Sequence, residues 1–256
     1  MKHKPDIANF IENGYKQFIP QLSIDCTIFG YHENQLRVLL IKWKDVEGWC
    51  LPGGKIGHKE SIDDAASRIL SDITGLTDVF LQQYYTFGES NRMKQNKSLL
   101  KSSWLYKEAK GSWLDARTIS IGYYALIEFS KAIPNPDEFS IECTWWDIQR
   151  LPLLLFDHEQ MIRVALQTLR AQLSYQPVGL NLLPEKFTLP ELQKLYETIL
   201  DRKIDRRNFQ KKILSLGIIK NLEQRRRIGP HRSPGLYRFA RNKYKKALME
   251  SKGPGF

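Results

Sequence analysis

The first 173 residues alternate between the two-residue hydrophobic period of strands and the longer period of helices. Strand-like runs predict β-strands at residues 21–31, 35–43, 79–87, 118–129 and 141–146. Helical runs predict helices within 5–19 and at 62–74 and 157–173. The polar segment 91–117 predicts a long loop with a partial helix near 99–106. This order of elements indicates a mixed domain in which helices pack on a sheet.

The pattern changes after the Pro- and Gly-containing segment 174–187, which predicts a linker. Thr188 and Asp205 each precede an amphipathic run and are expected to cap helices, the second of which ends at Gly217. Two strand-like segments around a basic turn containing Gly and Pro follow, and they predict a wing-like hairpin.

These patterns give four regions and an α+β fold class. The expected regions are an N-terminal helix or arm at 1–19, a mixed domain at 20–173, a linker at 174–187, and a helix-turn-helix domain with a wing and a basic tail at 188–256. The Lys-rich C-terminal end is expected to be a frayed, solvated tail.

Charge separates the two domains more sharply than hydropathy does. Residues 1–176 hold 20 Lys and Arg against 21 Asp and Glu, whereas residues 177–256 hold 19 against 7. The whole net charge of +11 therefore resides in the C-terminal part. Concentrated positive charge attracts polyanions and releases their counterions, which indicates a nucleic-acid-binding domain or, alternatively, a solvated basic tail.

The second helix of the C-terminal domain decides between these alternatives. Its apolar Phe209, Ile213 and Leu216 share one face, and Arg207, Asn208, Lys211 and Ser215 gather on the opposite one. This arrangement is typical of a recognition helix that enters the major groove, with the wing against the backbone. The candidate DNA-binding residues are Arg206, Arg207, Asn208, Gln210, Lys211, Lys212, Arg225, Arg226, Arg227 and Arg232.

The remaining composition narrows the class of protein further. Three widely spaced cysteines form no CxxC pair, so neither a zinc site nor a disulfide framework is expected. The N-terminus has no apolar segment typical of a signal peptide, and no run approaches the roughly 20 apolar residues of a membrane helix. A cytoplasmic protein without membrane association is expected.

One motif has the spacing of an enzyme. The segment GKIGHKESIDDAASRILSDITGL, residues 54–76, matches the Nudix box at Gly54, Glu60, Arg68, Leu70, Gly75 and Leu76. The chain resembles the Nudix fold over about residues 20–170. Together with the C-terminal pattern, it resembles the Nudix-related transcriptional regulators, including the arabinose-responsive type of Bacteroidetes. The resemblance implies a Nudix-like α/β/α sandwich followed by a winged helix-turn-helix domain.

The departures from the Nudix box argue against catalysis. Where active Nudix hydrolases carry metal-binding glutamates, this chain has Ile69, Asp72 and Ile73. Magnesium requires hard oxygen ligands, and one carboxylate cannot build its site. We expect no enzymatic activity and no metal or other cofactor. Arg68 is expected to brace Glu60 or the loop backbone. Capping and the helix dipole are the expected roles of Glu60, Asp63 and Asp64.

The resemblance further implies a homodimer that binds a double-stranded DNA operator and senses a small effector, either a sugar or a nucleotide-sugar. Because the metal ligands are replaced, a monosaccharide is favoured over a pyrophosphate such as ADP-ribose, and control of sugar catabolism is expected. The candidate effector-binding residues are Asp25, Lys42, Gly54, Phe87, Glu89, Asn91, Arg92, Tyr124, Asp157 and His158. Structural roles compete for several of them: Phe87 and Tyr124 as core residues, Lys42 as a solvated edge residue and Asp157 as a helix cap.

Two other functions compete with this one. A Nudix hydrolase of ADP-ribose or another nucleoside diphosphate derivative, fused to a nucleic-acid-binding domain, predicts Mg²⁺-dependent turnover. An architectural or interaction protein without an effector predicts that no ligand stabilises the first domain.

Overall fold

The computed structural model describes residues 7–77, 79–94, 97–101, 103–137, 139–226, 233–250 and 253–255. The chain forms two compact units, one of residues 1–30 and 37–165 and one of residues 31–36 and 166–256. Among the described helices, none is long and apolar enough to cross a bilayer.

The strands of the first unit join in one sheet. Their bounds are Leu22–His32 (β1), Gln35–Trp43 (β2), Trp49–Cys50 (β3), Gly53–Gly54 (β4), Phe80–Phe87 (β5), Ile119–Glu128 (β6) and Ser140–Asp147 (β7). The strand order is β3-β2-β1-β6-β5, with β4 paired to β1 and β7 paired to β2. The five strands expected from the hydrophobic pattern are confirmed. The two-residue strands β3 and β4 were not expected, because the sequence around them has the composition of a turn.

Helices lie before, between and after these strands along the chain. Their bounds are Ile7–Asn13 (α1), Ile62–Thr74 (α2), Lys97–Leu100 (α3), Trp104–Ala109 (α4) and His158–Tyr175 (α5). Among its described residues, the polar segment 91–117 holds a short 3-10 helix at Arg92–Lys94 in addition to α3 and α4, where one partial helix was expected. The boundary between the two units falls within α5, after Ala165.

The start and end of α2 follow from local sequence chemistry. Ser61 Oγ accepts a hydrogen bond from the Asp64 amide at 3.1 Å, and Gly75 ends the helix in the left-handed conformation at φ 72°. The helix predicted at 62–74 is confirmed. The helix buries Ala65, Ala66, Ile69, Leu70 and Ile73 in the core of the first unit, on positions spaced as one helical face requires.

The second unit contains a three-stranded sheet and a helix pair. The elements after α5 are Phe187–Thr188 (β8), Leu189–Leu200 (α6), Arg206–Ser215 (α7), Ile219–Arg225 (β9), Gly235–Phe239 (β10) and Arg241–Met249 (α8). The sheet order is β8-β10-β9. A Nudix-like α/β fold followed by a winged helix is therefore the architecture of the chain.

Helix capping in this unit agrees with the sequence. Thr188 and Glu191 form a complete capping box at the start of α6, and Asp205 accepts a hydrogen bond from the Asn208 amide at 2.8 Å. The rings of Tyr196 and Phe209 meet edge-to-face at 5.5 Å, so α6 and α7 share one apolar core.

Two segments are more ordered than the sequence indicated. The segment 174–187 lies in the second unit and buries Val178, Leu182 and Leu183. The expected frayed tail is wrong over 241–249, which forms α8 and buries Tyr244 and Ala247. Its four lysines and arginines dominate its composition, whereas its two buried positions hold it to the domain.

Candidate effector pocket and nucleic-acid interface

The Nudix-type helix α2 has a brace at its start. Arg68 donates from Nε to Glu60 Oε2 at 3.1 Å and from Nη2 to Glu60 Oε1 at 2.7 Å. A further bond of 2.9 Å joins Arg68 Nη2 to the Lys55 carbonyl, and Glu60 Oε1 accepts the Gly57 amide at 2.6 Å. The expected bracing role of Arg68 matches this geometry.

The acidic residues of this region have separate tasks. Glu60 pairs with Arg68 instead of serving the helix dipole, and Asp63 accepts a hydrogen bond from the Tyr123 hydroxyl. Of these residues only Asp64 takes part in the N-cap.

Two of the three positions at which the resemblance to the Nudix box implies metal-binding glutamates are apolar and buried in this chain. Ile69 is 4% exposed and Ile73 is 3% exposed, both within the hydrophobic core. The side chain of Asp72 is instead at the surface. In the part of the chain that the structure describes, no three His, Cys, Asp or Glu side chains gather where they would hold a metal ion.

A buried polar network lies beside β1. Arg92 donates to both oxygens of Asp157, from Nε at 2.9 Å and from Nη2 at 2.8 Å. The same Nη2 is 3.8 Å from Asp25 Oδ2, an oxygen that also accepts the Ser120 hydroxyl. Arg92, Asp157 and Ser120 are at most 3% exposed, so the ion pair between Arg92 and Asp157 is shielded from water by the surrounding protein.

His158 completes this network at the first residue of α5. Its Nδ1 accepts the Leu51 amide at 2.9 Å, so the imidazole carries its proton on Nε2 when it is neutral. Burial lowers the pKa of His158 below its ordinary value of 6.5, which outweighs the opposing effect of Asp25. The neutral form is therefore the one present at pH 7. Its Nε2 lies 3.7 Å from Asp25 Oδ1.

This network forms the floor of a cavity of about 320 Å³ in the first unit. Three predicted side chains line it, those of Asp25, Arg92 and His158, together with the backbone of Gly54. Aromatic and apolar walls surround them. The wall residues are Phe10, Ile41, Trp43, Leu51, Leu100, Tyr106, Leu114, Phe139 and Phe156. A concave, mainly apolar site with a few polar groups is typical of small-molecule binding.

Other predicted effector residues lie elsewhere. Phe87 is 3% exposed and packs against Tyr84, and Tyr124 is fully buried between Tyr84 and Phe80. Both are core residues, as the alternative interpretation held. Asp157 does not line the cavity but holds Arg92 in place.

Lys42 lies on the face of β2 that points away from the cavity. Ile41 and Trp43 line it, and successive side chains of a strand point to opposite faces. Lys42 instead lies over the Trp49 ring, with Nζ 5.8 Å from its centroid.

The two remaining candidates do not line the cavity. Glu89 and Asn91 have exposed side chains, but the Glu89 carbonyl accepts the Arg92 amide at 3.2 Å. Their segment turns the chain so that Arg92 reaches the floor of the cavity.

Lys55 is a lining residue that the sequence reasoning missed. Its ammonium lies 5.4 Å from the centroid of the Trp113 ring, and burial lowers its pKa below 10.5 against the opposing effect of Asp25. The signal was available, since Lys55 directly follows the predicted Gly54. Ser103, only 2% exposed, is a second missed residue, and nothing in its polar, Ser- and Lys-rich segment distinguished it.

In the second unit, α7 presents a basic and polar face to solvent. Arg206, Arg207, Asn208 and Lys211 are exposed, while Phe209 and Ile213 are fully buried. The predicted two-faced helix is confirmed. Gln210 and Lys212 are half-buried, and Lys212 Nζ donates to the Gly255 carbonyl at 2.6 Å.

The wing hairpin is formed by β9 and β10. Arg225 is exposed at the end of β9. Arg226 instead pairs with Glu191 of α6 and donates to the Lys186 carbonyl at 2.9 Å, so it fastens the hairpin to the helix pair. Arg227 and Arg232 lie outside the described residues.

Comparisons with known proteins agree with this architecture. Residues 179–239 match the family model described as the NrtR DNA-binding winged helix domain. The chain is 29% identical over 245 residues to the ADPR responsive transcriptional repressor NtrR of Acinetobacter baylyi, covering 93% of this chain and 88% of that protein. The chain is thus similar over most of its length to a Nudix-fused winged-helix regulator.

Solved structures extend the likeness to both units of this chain. Shewanella oneidensis NrtR, crystallised with a 27-mer DNA, is 26% identical with a TM-score of 0.68, covering 88% of this chain and 96% of that one. A MutT/nudix family protein of Enterococcus faecalis has the same fold at 20% identity, with a TM-score of 0.63 and coverage of 93% and 99%.

Proposed function

We propose that this chain is a DNA-binding transcriptional repressor whose Nudix-like unit senses a small organic effector. The exposed face of α7 carries the proposal, because Arg207, Asn208 and Lys211 stand on a helix whose opposite side is locked into a winged-helix core. Such side chains bind phosphates and base edges in a major groove. We further propose a homodimer, each winged helix taking half of an operator.

ADP-ribose is the first candidate effector. The Acinetobacter baylyi relative is named for its response to ADPR. In this chain the cations of Lys55 and Arg117 line the cavity, where a pyrophosphate needs positive charge, and Trp43 and Phe156 offer surfaces on which an adenine can stack.

A monosaccharide, with control of sugar catabolism as in the arabinose-responsive branch, is the second candidate. The carboxylates of Asp25, Asp115 and Asp137 line the same cavity, and carboxylates accept hydroxyl hydrogens but repel phosphates. The volume of about 320 Å³ is also at the small end for ligand pockets.

A catalytic role is not part of this proposal. The burial of Ile69 and Ile73 fills the place of a metal site with core packing, which supports a sensor instead of a hydrolase. Mg²⁺-dependent release of AMP from ADP-ribose by the purified chain would overturn this part of the proposal.

The test is a thermal-shift screen of the full chain, followed through its tryptophans, which all lie in the first unit. A ligand at 100 times its dissociation constant stabilises the folded state by about 2.7 kcal/mol. We expect ADP-ribose to raise the midpoint, and Lys55→Met to weaken the shift because the cation is lost. Stabilisation by arabinose that is insensitive to Lys55→Met selects the second candidate. No shift with either ligand contradicts the sensing role.

A further inference from the structure

Most polar groups that line the cavity are already hydrogen-bonded within the protein. Asp137 Oδ1 accepts the Phe139 amide and the Ser140 hydroxyl, and Asp115 Oδ2 accepts the Gly111 amide. Arg117 donates to the Gly88 carbonyl. These groups contribute charge, but much of their hydrogen-bonding capacity is in use.

Two groups on the floor retain their capacity. Asp25 Oδ2 is occupied by Ser120, while its Oδ1 has no hydrogen-bond donor within 3.5 Å among the described residues. His158 uses Nδ1 for the Leu51 amide, and its Nε2–H has no acceptor at that distance in the described part of the chain. Both side chains are about nine-tenths buried and both line the cavity.

A third group faces the same cavity. Ser103 is 2% exposed, and its hydroxyl makes no capping hydrogen bond at the start of α4. Buried polar groups are normally paired, so an acceptor and a donor left open beside this hydroxyl on one cavity indicate a ligand that pairs with them.

We infer that Asp25 and His158 form a hydroxyl-recognition pair for the ring of a sugar, with Asp25 Oδ1 accepting one hydroxyl and His158 Nε2 donating to that hydroxyl or its neighbour. The inference rests on the proposed effector-binding role and names the part of the effector that is recognised. The separation of 3.7 Å between the two atoms leaves both within reach of one hydroxyl or of two adjacent ones.

The charges of the floor favour a neutral polyol at this point over an anion. Asp25 and Asp157 are two carboxylates that Arg92 and the nearby Lys55 balance, and His158 is neutral at pH 7, so the floor carries no excess positive charge. A phosphate beside Asp25 Oδ1 would be repelled, whereas a hydroxyl hydrogen is attracted. The apolar walls of the cavity suit the C–H face of a sugar ring.

The terminal ribose of ADP-ribose and a free pentose share this chemistry. Calorimetric titration of the full chain with ADP-ribose, ribose, arabinose and pyrophosphate distinguishes them. Binding of ADP-ribose alone identifies the nucleotide-linked sugar, and binding of a free pentose identifies the monosaccharide; either supports the pair if the variants below behave as expected. Binding of pyrophosphate as tight as that of ADP-ribose overturns it.

The variants separate recognition from folding. His158→Asn places an amide oxygen near the position of Nδ1, which preserves the bond to the Leu51 amide but removes the Nε2 donor. Asp25→Asn keeps the shape of the side chain and removes its charge. We expect each to weaken sugar binding at least about tenfold, with Asp72→Asn on the surface of α2 as the control.

The direction in which Asp25→Asn changes the affinity is the most discriminating result. If the site binds an anion at this point, removal of the carboxylate strengthens binding; if it binds a hydroxyl, affinity falls. Tighter binding, unchanged binding in both variants, or no binding of any sugar overturns the pair. If Asp25→Asn fails to fold, Ser103→Ala replaces it as the test variant. We expect Ser103→Ala to weaken sugar binding while the ion pairs of Arg92 stay intact. Binding of the same variants to operator DNA, measured in parallel, tests the repressor proposal separately.

Discussion

Replacing Arg92 by Met tests whether the buried ion network holds the floor of the cavity. The substitution removes the bonds of 2.8 Å and 2.9 Å to Asp157 and leaves two carboxylates, Asp25 and Asp157, buried without their cation. Removing one partner of a buried pair costs about 3–5 kcal/mol. For a domain of this size, the midpoint of thermal unfolding should fall by about 6–20 °C.

Tryptophan fluorescence is the suitable probe, because all six tryptophans belong to the first unit and report its unfolding alone. Arg163→Met is the matched control: its pair with Glu159 is 3.1 Å long but more than 60% exposed on both sides, so it should cost no more than about 0.5 kcal/mol. Adding Asp157→Leu to Arg92→Met should restore part of the stability. If the Arg92 and Arg163 variants differ by less than about 1 kcal/mol, the reasoning about the floor is refuted.

Three further predictions concern acid stability, thiol reactivity and DNA contacts. Hydrogen bonds from Arg68 hold the pKa of Glu60 below its usual 4.5, so the stabilisation by this pair is present above pH 4.5 and is lost as pH falls through the folded pKa. In urea unfolding, the free energy of unfolding of the Arg68→Met variant should therefore approach that of the parent only in acid. Burial raises the pKa of Cys143 to about 12, so iodoacetamide at pH 8 should label it only after unfolding, and mass spectrometry showing rapid native labelling would contradict this. Arg207→Ala should reduce operator affinity and lower the salt slope by about 1 if it contacts a phosphate, whereas Lys131→Ala in the first unit should leave anisotropy titrations unchanged.

The sequence predicts the fold well where local chemistry and the hydrophobic period agree. The α2 boundaries followed from Ser61 and Gly75, and the two faces of α7 followed from the spacing of Phe209 and Ile213. The C-terminal helix α8 was missed because its many cations conceal two buried positions.

The cavity is harder to predict, because its members come together only in the folded sheet. Asp25 and His158 are 133 positions apart, and no local pattern joins Arg92 to Asp157. Side chains alternate between the two faces of β2, so Trp43 and not Lys42 lines the cavity. The sequence could have predicted this only if the cavity-facing side of that strand had been known.

The central claim is that this chain binds DNA under the control of an effector. Fluorescence anisotropy of the full chain on a labelled duplex from the region upstream of the neighbouring operon, at fixed salt, tests it directly. We expect binding at least about 1000-fold tighter than to an unrelated duplex of the same length, with release when ADP-ribose or the pentose that binds is added. Equal affinity for the two duplexes, or specific binding that none of these ligands changes, contradicts it.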